Sequence, residues 1–109
     1  MESKNKDAVI GKGLPQIDNR LLFAQQGAFE NLTFSYIEIL PGHRIPATGF
    51  SKHDADEYSY FISGSVKSYS GGKESIETAG NATYIPKGEE HWCINEGEEP
   101  CVLVCAMIK

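Results

Sequence analysis

Apolar and polar positions along this chain fall into short runs broken by glycine and proline, with the period of two that belongs to strands. Residues 21–24 and 32–40 are the first two predicted strands, the second dense in Phe34, Tyr36, Ile37 and Ile39, and Pro41-Gly42 ends it. A third, at 58–62, is rich in aromatic and β-branched residues and stops at Ser63-Gly64. Residues 66–69 and 76–78 flank Gly71-Gly72, the pattern of a hairpin with a two-glycine turn. Ala82–Ile85 and His91–Ile94 are joined through Pro86-Lys87-Gly88, where proline presets one backbone angle and glycine supplies a reversed residue. The chain closes on Cys101–Ile108, a continuous apolar run too short and too β-branched to favour a helix.

Eight or more short strands at turn-punctuated intervals predict an all-β sandwich or barrel, and no segment carries a helical period. At 109 residues the chain suits one domain with an ordinary core. Residues 1–15 stand apart: polar to Lys6, apolar at Ala8, Val9 and Ile10, then punctuated by Gly11, Gly13 and Pro15. That is the composition of a loose arm, which can also lie along the edge strand of a partner. The expected organisation is an arm over 1–15 and one barrel over 16–109. Exposed sheet edges and an apolar arm together predict a homodimer.

Charge and cysteine usage narrow the partners. Fifteen acidic against ten basic residues give −5, with Glu89, Glu90, Glu96, Glu98 and Glu99 grouped late, so a nucleic-acid backbone is repelled. No run approaches the roughly 18 apolar residues of a membrane span, and the opening MESKNKD lacks an apolar signal core. A cytoplasmic protein with no membrane partner is expected. Cys93, Cys101 and Cys105 are odd in number and form no CxxC pair, which predicts reduced, mostly buried thiols acting as small hydrophobes.

The stretch from Gly80 to Asn95 carries the most specific pattern, Gly-x5-Pro-x-Gly-x2-His-x3-Asn, at Gly80, Pro86, Gly88, His91 and Asn95. Upstream, His53, three residues, Glu57, six residues and Gly64 form a second spaced set. Together they resemble the two motifs of the cupin family over residues 41–95. The first motif departs in three ways: Ser51 stands where the family's first His belongs, Ile45 occupies the place of its upstream Gly, and about two extra residues lie between Pro46 and His53. The resemblance implies a double-stranded β-helix, or jelly-roll, barrel. It also implies a divalent transition metal held by His53, Glu57 and His91. Two imidazoles and one carboxylate with open positions suit ferrous iron, and also manganese, nickel or zinc. With Ser51 in place of an imidazole, the expectation is a three-ligand site with an extra open position and weaker affinity. The alternatives are that the Ser51 hydroxyl itself reaches the site, or that Thr48 takes its role.

Alternation from these ligands sketches the pocket. If Glu57 faces inward so do Ser59 and Phe61, while Tyr58, Tyr60 and Ile62 face the other layer; if His91 faces inward, Cys93 and Asn95 follow. The expected lining therefore includes Ser51, Ser59, Phe61, Cys93 and Asn95, although Asn95 is also suited to bonding backbone within the barrel. For the last strand the inward set is either Cys101, Leu103, Cys105 and Met107 or Val102, Val104, Ala106 and Ile108. Such a pocket suits a small organic molecule. Three functions are compatible with it: a metal-dependent dioxygenase, isomerase or lyase; a small-molecule-binding or sensing module; or a cupin without metal.

Overall fold

A computed structural model of the chain describes residues 1–14, 17–24 and 31–109. In chain order the strands are β1 (Lys12–Leu14), β2 (Ile17–Ala24), β3 (Leu32–Ile39), β4 (Arg44–Ile45), β5 (Asp56–Ser63), β6 (Ser65–Ser70), β7 (Lys73–Thr78), β8 (Ala82–Ile85), β9 (His91–Ile94) and β10 (Cys101–Ile108). Among the described residues the only helical element is a 3₁₀ turn, Lys6–Ala8, whose Asp7 amide donates to the side chain of Asn5. Among the described residues no helix is long and apolar enough to cross a membrane, which leaves membrane β-barrels aside.

The strands form two antiparallel sheets, one of six in the order β1-β2-β3-β10-β5-β8 and one of four in the order β4-β9-β6-β7. This is the expected all-β jelly-roll arrangement. The last strand is central, its apolar run flanked by β3 and β5, with one face turned to the core. Cys105 stands opposite Ser35 of β3 and Ser59 of β5. Its inward set is Cys101, Leu103 and Cys105, which settles the choice that a continuous apolar run leaves open. With Ile17, Ile39, Phe61 and Val66 they make the core, and Ile37, Ile45 and Cys93 pack against it.

Glu57, Ser59 and Phe61 share the inward face of β5, as alternation predicts. Tyr58, Tyr60 and Ile62 do not face a second layer: they are about half exposed on the outside, at 46%, 50% and 50%. Alternation assigns residues to a common face but does not say whether another layer covers it. Part of this outer face is occupied by the N-terminal segment, since Lys4 lies over the Phe23 ring and Lys6 over the Tyr36 ring, both at 5.2 Å, and Arg20 donates to the Lys6 carbonyl at 2.7 Å. The segment continues into β1, which pairs with β2 of the same chain, while Ile10 stays exposed.

Two residues of the sequence motifs are explained by packing alone. Gly64 has φ +74°, and a Cβ there would run into the Pro100 carbonyl and lie 2.8 Å from Cys101 Cα, so only glycine lets β5 turn into β6 against the start of β10. Asn95 was expected in the pocket but is fully buried and fully used: Nδ2 donates to the Ile39 carbonyl at 2.9 Å and to the Glu99 carbonyl at 2.8 Å, and Oδ1 accepts from the Gly97 amide at 2.9 Å. It fixes the turn between β9 and β10 and contributes nothing to the cavity described below. Asn95→Ala strands the buried Ile39 carbonyl and removes the partner of two part-buried backbone groups, so it should lower the unfolding free energy by about 2–4 kcal/mol in denaturant titration. A loss below about 1 kcal/mol would show that water replaces the amide.

Candidate metal centre

His53 and Glu57 lead into β5 of the larger sheet, whereas His91 opens β9 of the smaller one, so backbone bonds between the sheets set their meeting. Ser51 and His91 exchange a pair of them: the Ser51 amide donates to the His91 carbonyl at 2.8 Å and the His91 amide to the Ser51 carbonyl at 3.0 Å. Directly opposed residues of an antiparallel pair project to the same side, so Ser51 shares the face of His91. The Gly88 amide donates to the His53 carbonyl at 2.9 Å, which fixes the Pro86-Lys87-Gly88 turn to the first motif. Asp54 and Asp56 complete the grip. Asp56 Oδ1 accepts from the Lys87 amide at 2.9 Å and from the Tyr84 hydroxyl at 3.3 Å, and Asp54 Oδ1 lies 2.9 Å from Lys87 Nζ. The hydrogen bond and charge of Lys87 hold the Asp54 carboxyl below its usual range, and Asp54 in turn raises the Lys87 amine. Both are solvent-exposed, so this pair aligns the turn more than it stabilises the fold.

These ties bring His53, Glu57 and His91 together, with one potential donor atom from each lying within 4.8 Å of the others. His53 Nε2 is 3.8 Å from Glu57 Oε1, and the two imidazole rings are 4.9 Å apart, tilted by 52°. His91 Nδ1 is 2.9 Å from the Glu89 carbonyl. A carbonyl can only accept, so Nδ1 carries the proton and the Nε2 lone pair is left for a cation. The Glu57 side chain is only 14% exposed, and its one ion-pair partner among the described residues is His53. Donors bonded to one ion at about 2.1 Å lie within roughly 4.2 Å of one another, so a small side-chain rotation closes the set. The donor chemistry, two imidazole nitrogens and a carboxylate, fits a divalent transition metal. Thr48 is exposed in a loop that Arg44 holds through the Pro46 and Gly49 carbonyls.

A cavity of about 310 Å³ opens beside the triad. Glu57 and His91 line its near end, and Ser59, Phe61 and Cys93 line it further in, where the sequence put them. Ser51 and Asn95 do not line it, and His53 stands at a shallower depression with Lys52 and Asp54. Sequence reasoning missed the other wall. Ser68 and Ser70 face inward in phase with the buried Val66, a signal that alternation along β6 carries, while Glu77 and Glu89 line the cavity from positions that no local pattern marks.

The thiols are chemically quiet. Burial pushes Cys93 and Cys105 up to about 12 and Cys101 to about 11, from the usual value near 9, and the Glu57 carboxylate adds to the rise for the first two. All three are therefore protonated at neutral pH and poor nucleophiles. A folded value above the unfolded one contributes stability that is complete below about 9 and is lost as pH rises through 11–12. Thiol titration at pH 8 should find almost no reactive cysteine in native protein and three in denaturant. Rapid native reaction of one thiol would show it to be exposed or activated.

Comparison with known proteins places this geometry. The model of the cupin domain matches residues 35–107. No curated protein matches the sequence. Many solved structures share the fold. A predicted oxalate decarboxylase from Thermotoga maritima superposes with a TM-score of 0.85 at 17% identity, covering 98% of each chain. A Cupin 2 conserved barrel domain protein from Salinispora arenicola gives 0.80 at 19% identity, over 100% of this chain and 89% of the other. The polyketide cyclase RemF from Streptomyces resistomycificus gives 0.79 at 18% identity, over 99% and 79%. At these identities the likeness is one of fold.

Proposed function

The chain belongs to the cupin family, and from that premise we propose that it binds one divalent transition metal through His53, Glu57 and His91 and holds a small organic molecule in the adjoining cavity. The observation that carries this reading is the convergence of the three donor atoms within 4.8 Å from two sheets, with the His91 tautomer set by the Glu89 carbonyl. When bound, such a metal supplies a Lewis-acid or oxygen-binding centre. With only three protein ligands such a metal would keep positions for water or substrate, which favours an enzyme of dioxygenase, isomerase or lyase type over a passive module. Two of the similar structures are named for small organic molecules, a predicted oxalate decarboxylase and a polyketide cyclase, which agrees with this pocket in size alone.

Elemental analysis of protein expressed in metal-replete medium and purified without chelators tests the site. One metal per wild-type chain is expected, with His91→Ala and His53→Ala each losing most of it while keeping a wild-type circular dichroism spectrum. Equal absence of metal from wild type and variants would make this a cupin without metal. Ser51 gives a second test, because its backbone pairing puts residue 51 on the face of His91. Ser51→His should bind metal more tightly and Ser51→Ala should match wild type; a large loss in the Ala variant would make the hydroxyl part of the site.

We also propose a homodimer. The support is the outer face of β5 and β8, where Tyr58, Tyr60, Ile62 and Tyr84 are each about half exposed and Tyr58 stacks on Tyr84 at 5.0 Å beside an open sheet edge. Light scattering at micromolar concentration should return twice the 12.0 kDa chain mass, and Tyr60→Glu should halve it. A wild-type monomer would reject the dimer.

A further inference from the structure

The geometry points to a ligand class for this cavity: a small neutral or cationic molecule rich in hydroxyl or amino groups, and not a carboxylate or phosphate. The inference rests on the cavity beside the triad being the binding site. Among the described residues its lining contains three carboxylates, Glu57, Glu77 and Glu89, and no lysine or arginine. Recognition of an anionic group in a partly enclosed site needs a cation or a cluster of amide donors facing it. Here the cations near the barrel are turned elsewhere: Lys67 pairs with Glu74 at 3.6 Å, Lys87 pairs with Asp54, Lys73, opposite Ser70, is exposed and outside the lining, and Arg44, over the lining Trp92 ring at 4.9 Å, donates to the Pro46 and Gly49 carbonyls.

The acidic groups are held in position. Glu89 Oε2 accepts from the Ser70 hydroxyl at 2.7 Å, and the two oxygens of Glu77 accept from the Ser75 hydroxyl at 2.8 Å and from Asn81 Nδ2 at 2.9 Å. Among the described residues neither Glu77 nor Glu89 forms an ion pair. A divalent ion facing Glu57 would leave one positive charge against the two negative charges of Glu77 and Glu89, so the occupied cavity stays net negative. Strand register extends the polar wall: Ser70 stands opposite His91, Ser68 opposite Cys93, and Ser75 opposite Ser68. The exposed lining residues Ser75 and Tyr84 belong to β7 and β8, the edge strands of the two sheets, so the cavity opens between them. A ligand entering there passes Glu77 and Glu89, whose carboxylates accept from ammonium or hydroxyl groups and repel a carboxylate.

Three probes with the same four-carbon skeleton separate charge from shape: 1,4-diaminobutane, butane-1,4-diol and succinate, each titrated calorimetrically into the full chain with its metal content measured on the same batch. The diamine should bind about tenfold more tightly than succinate, with the diol between, because two partly screened carboxylates act on the terminal groups. Glu77→Gln/Glu89→Gln should bring the diamine-to-succinate ratio close to one, and each single variant should lower it part way if the double variant fails to fold. Succinate binding as tightly as the diamine, a ratio unchanged in the glutamine variants, or no binding of any probe at about 10 mM overturns the ligand class. Metal-free wild-type protein counts against the metal reading alone, since the order of the probes is read on the same sample.

Discussion

The site depends on a backbone bridge. His53 and Glu57 belong to the approach and start of β5, His91 belongs to β9, and these strands lie in different sheets. The paired bonds between Ser51 and His91, with the Gly88 amide on the His53 carbonyl, fasten the two motifs to each other before any side chain contributes. Main-chain bonds of this kind do not depend on the identity of residue 51, so the chain can carry serine there and keep the imidazole pair in place. What serine removes is a donor atom, not the geometry that would present one.

That separation explains how much could be read in advance. The strands were legible because their apolar residues repeat at two and their ends carry glycine or proline. β1 and β4 were not, since Lys12–Leu14 and Arg44–Ile45 are too short to show a period, and the start of β2 at Ile17 lies in a mixed polar run. Neither the period nor the motif spacing could give the inward face of β10, where all eight residues are apolar and only the second sheet distinguishes one side from the other. The triad was legible through spacing within two motifs. Ser59, Phe61 and Cys93 followed from alternation, whereas Asn95, just past β9 where the chain turns, follows the other reading of an asparagine in this motif: its amide meets backbone groups of Ile39, Gly97 and Glu99.

Asp54 and Asp56 show a different limit. In sequence they look like an acidic surface loop crowding Glu57, and nothing local says otherwise. In the fold they bind the Pro-x-Gly turn, Asp56 through the Lys87 amide and Asp54 through the Lys87 amine. Charge that reads as solvated surface is thus partly committed to holding the second motif against the first, and Glu57 is left as the carboxylate that faces the imidazoles. Sorting committed from uncommitted carboxylates requires their partners, which only the folded chain supplies.

The same sorting bears on the rest of the cavity. A barrel this small has few inward positions, and most of those near the core centre are filled by Ile39, Phe61, Val66, Cys101 and Leu103. The charged lining groups therefore lie away from these core positions: Glu57 and Glu89 beside the triad, and Glu77 on the edge strand β7. Carboxylates placed there incur little desolvation penalty because water reaches them, yet they act on a ligand at short range once it displaces that water. Selectivity by charge and coordination can thus reside in one cavity without a buried unpaired charge, consistent with the absence of any unsatisfied buried side-chain polar atom among the described residues.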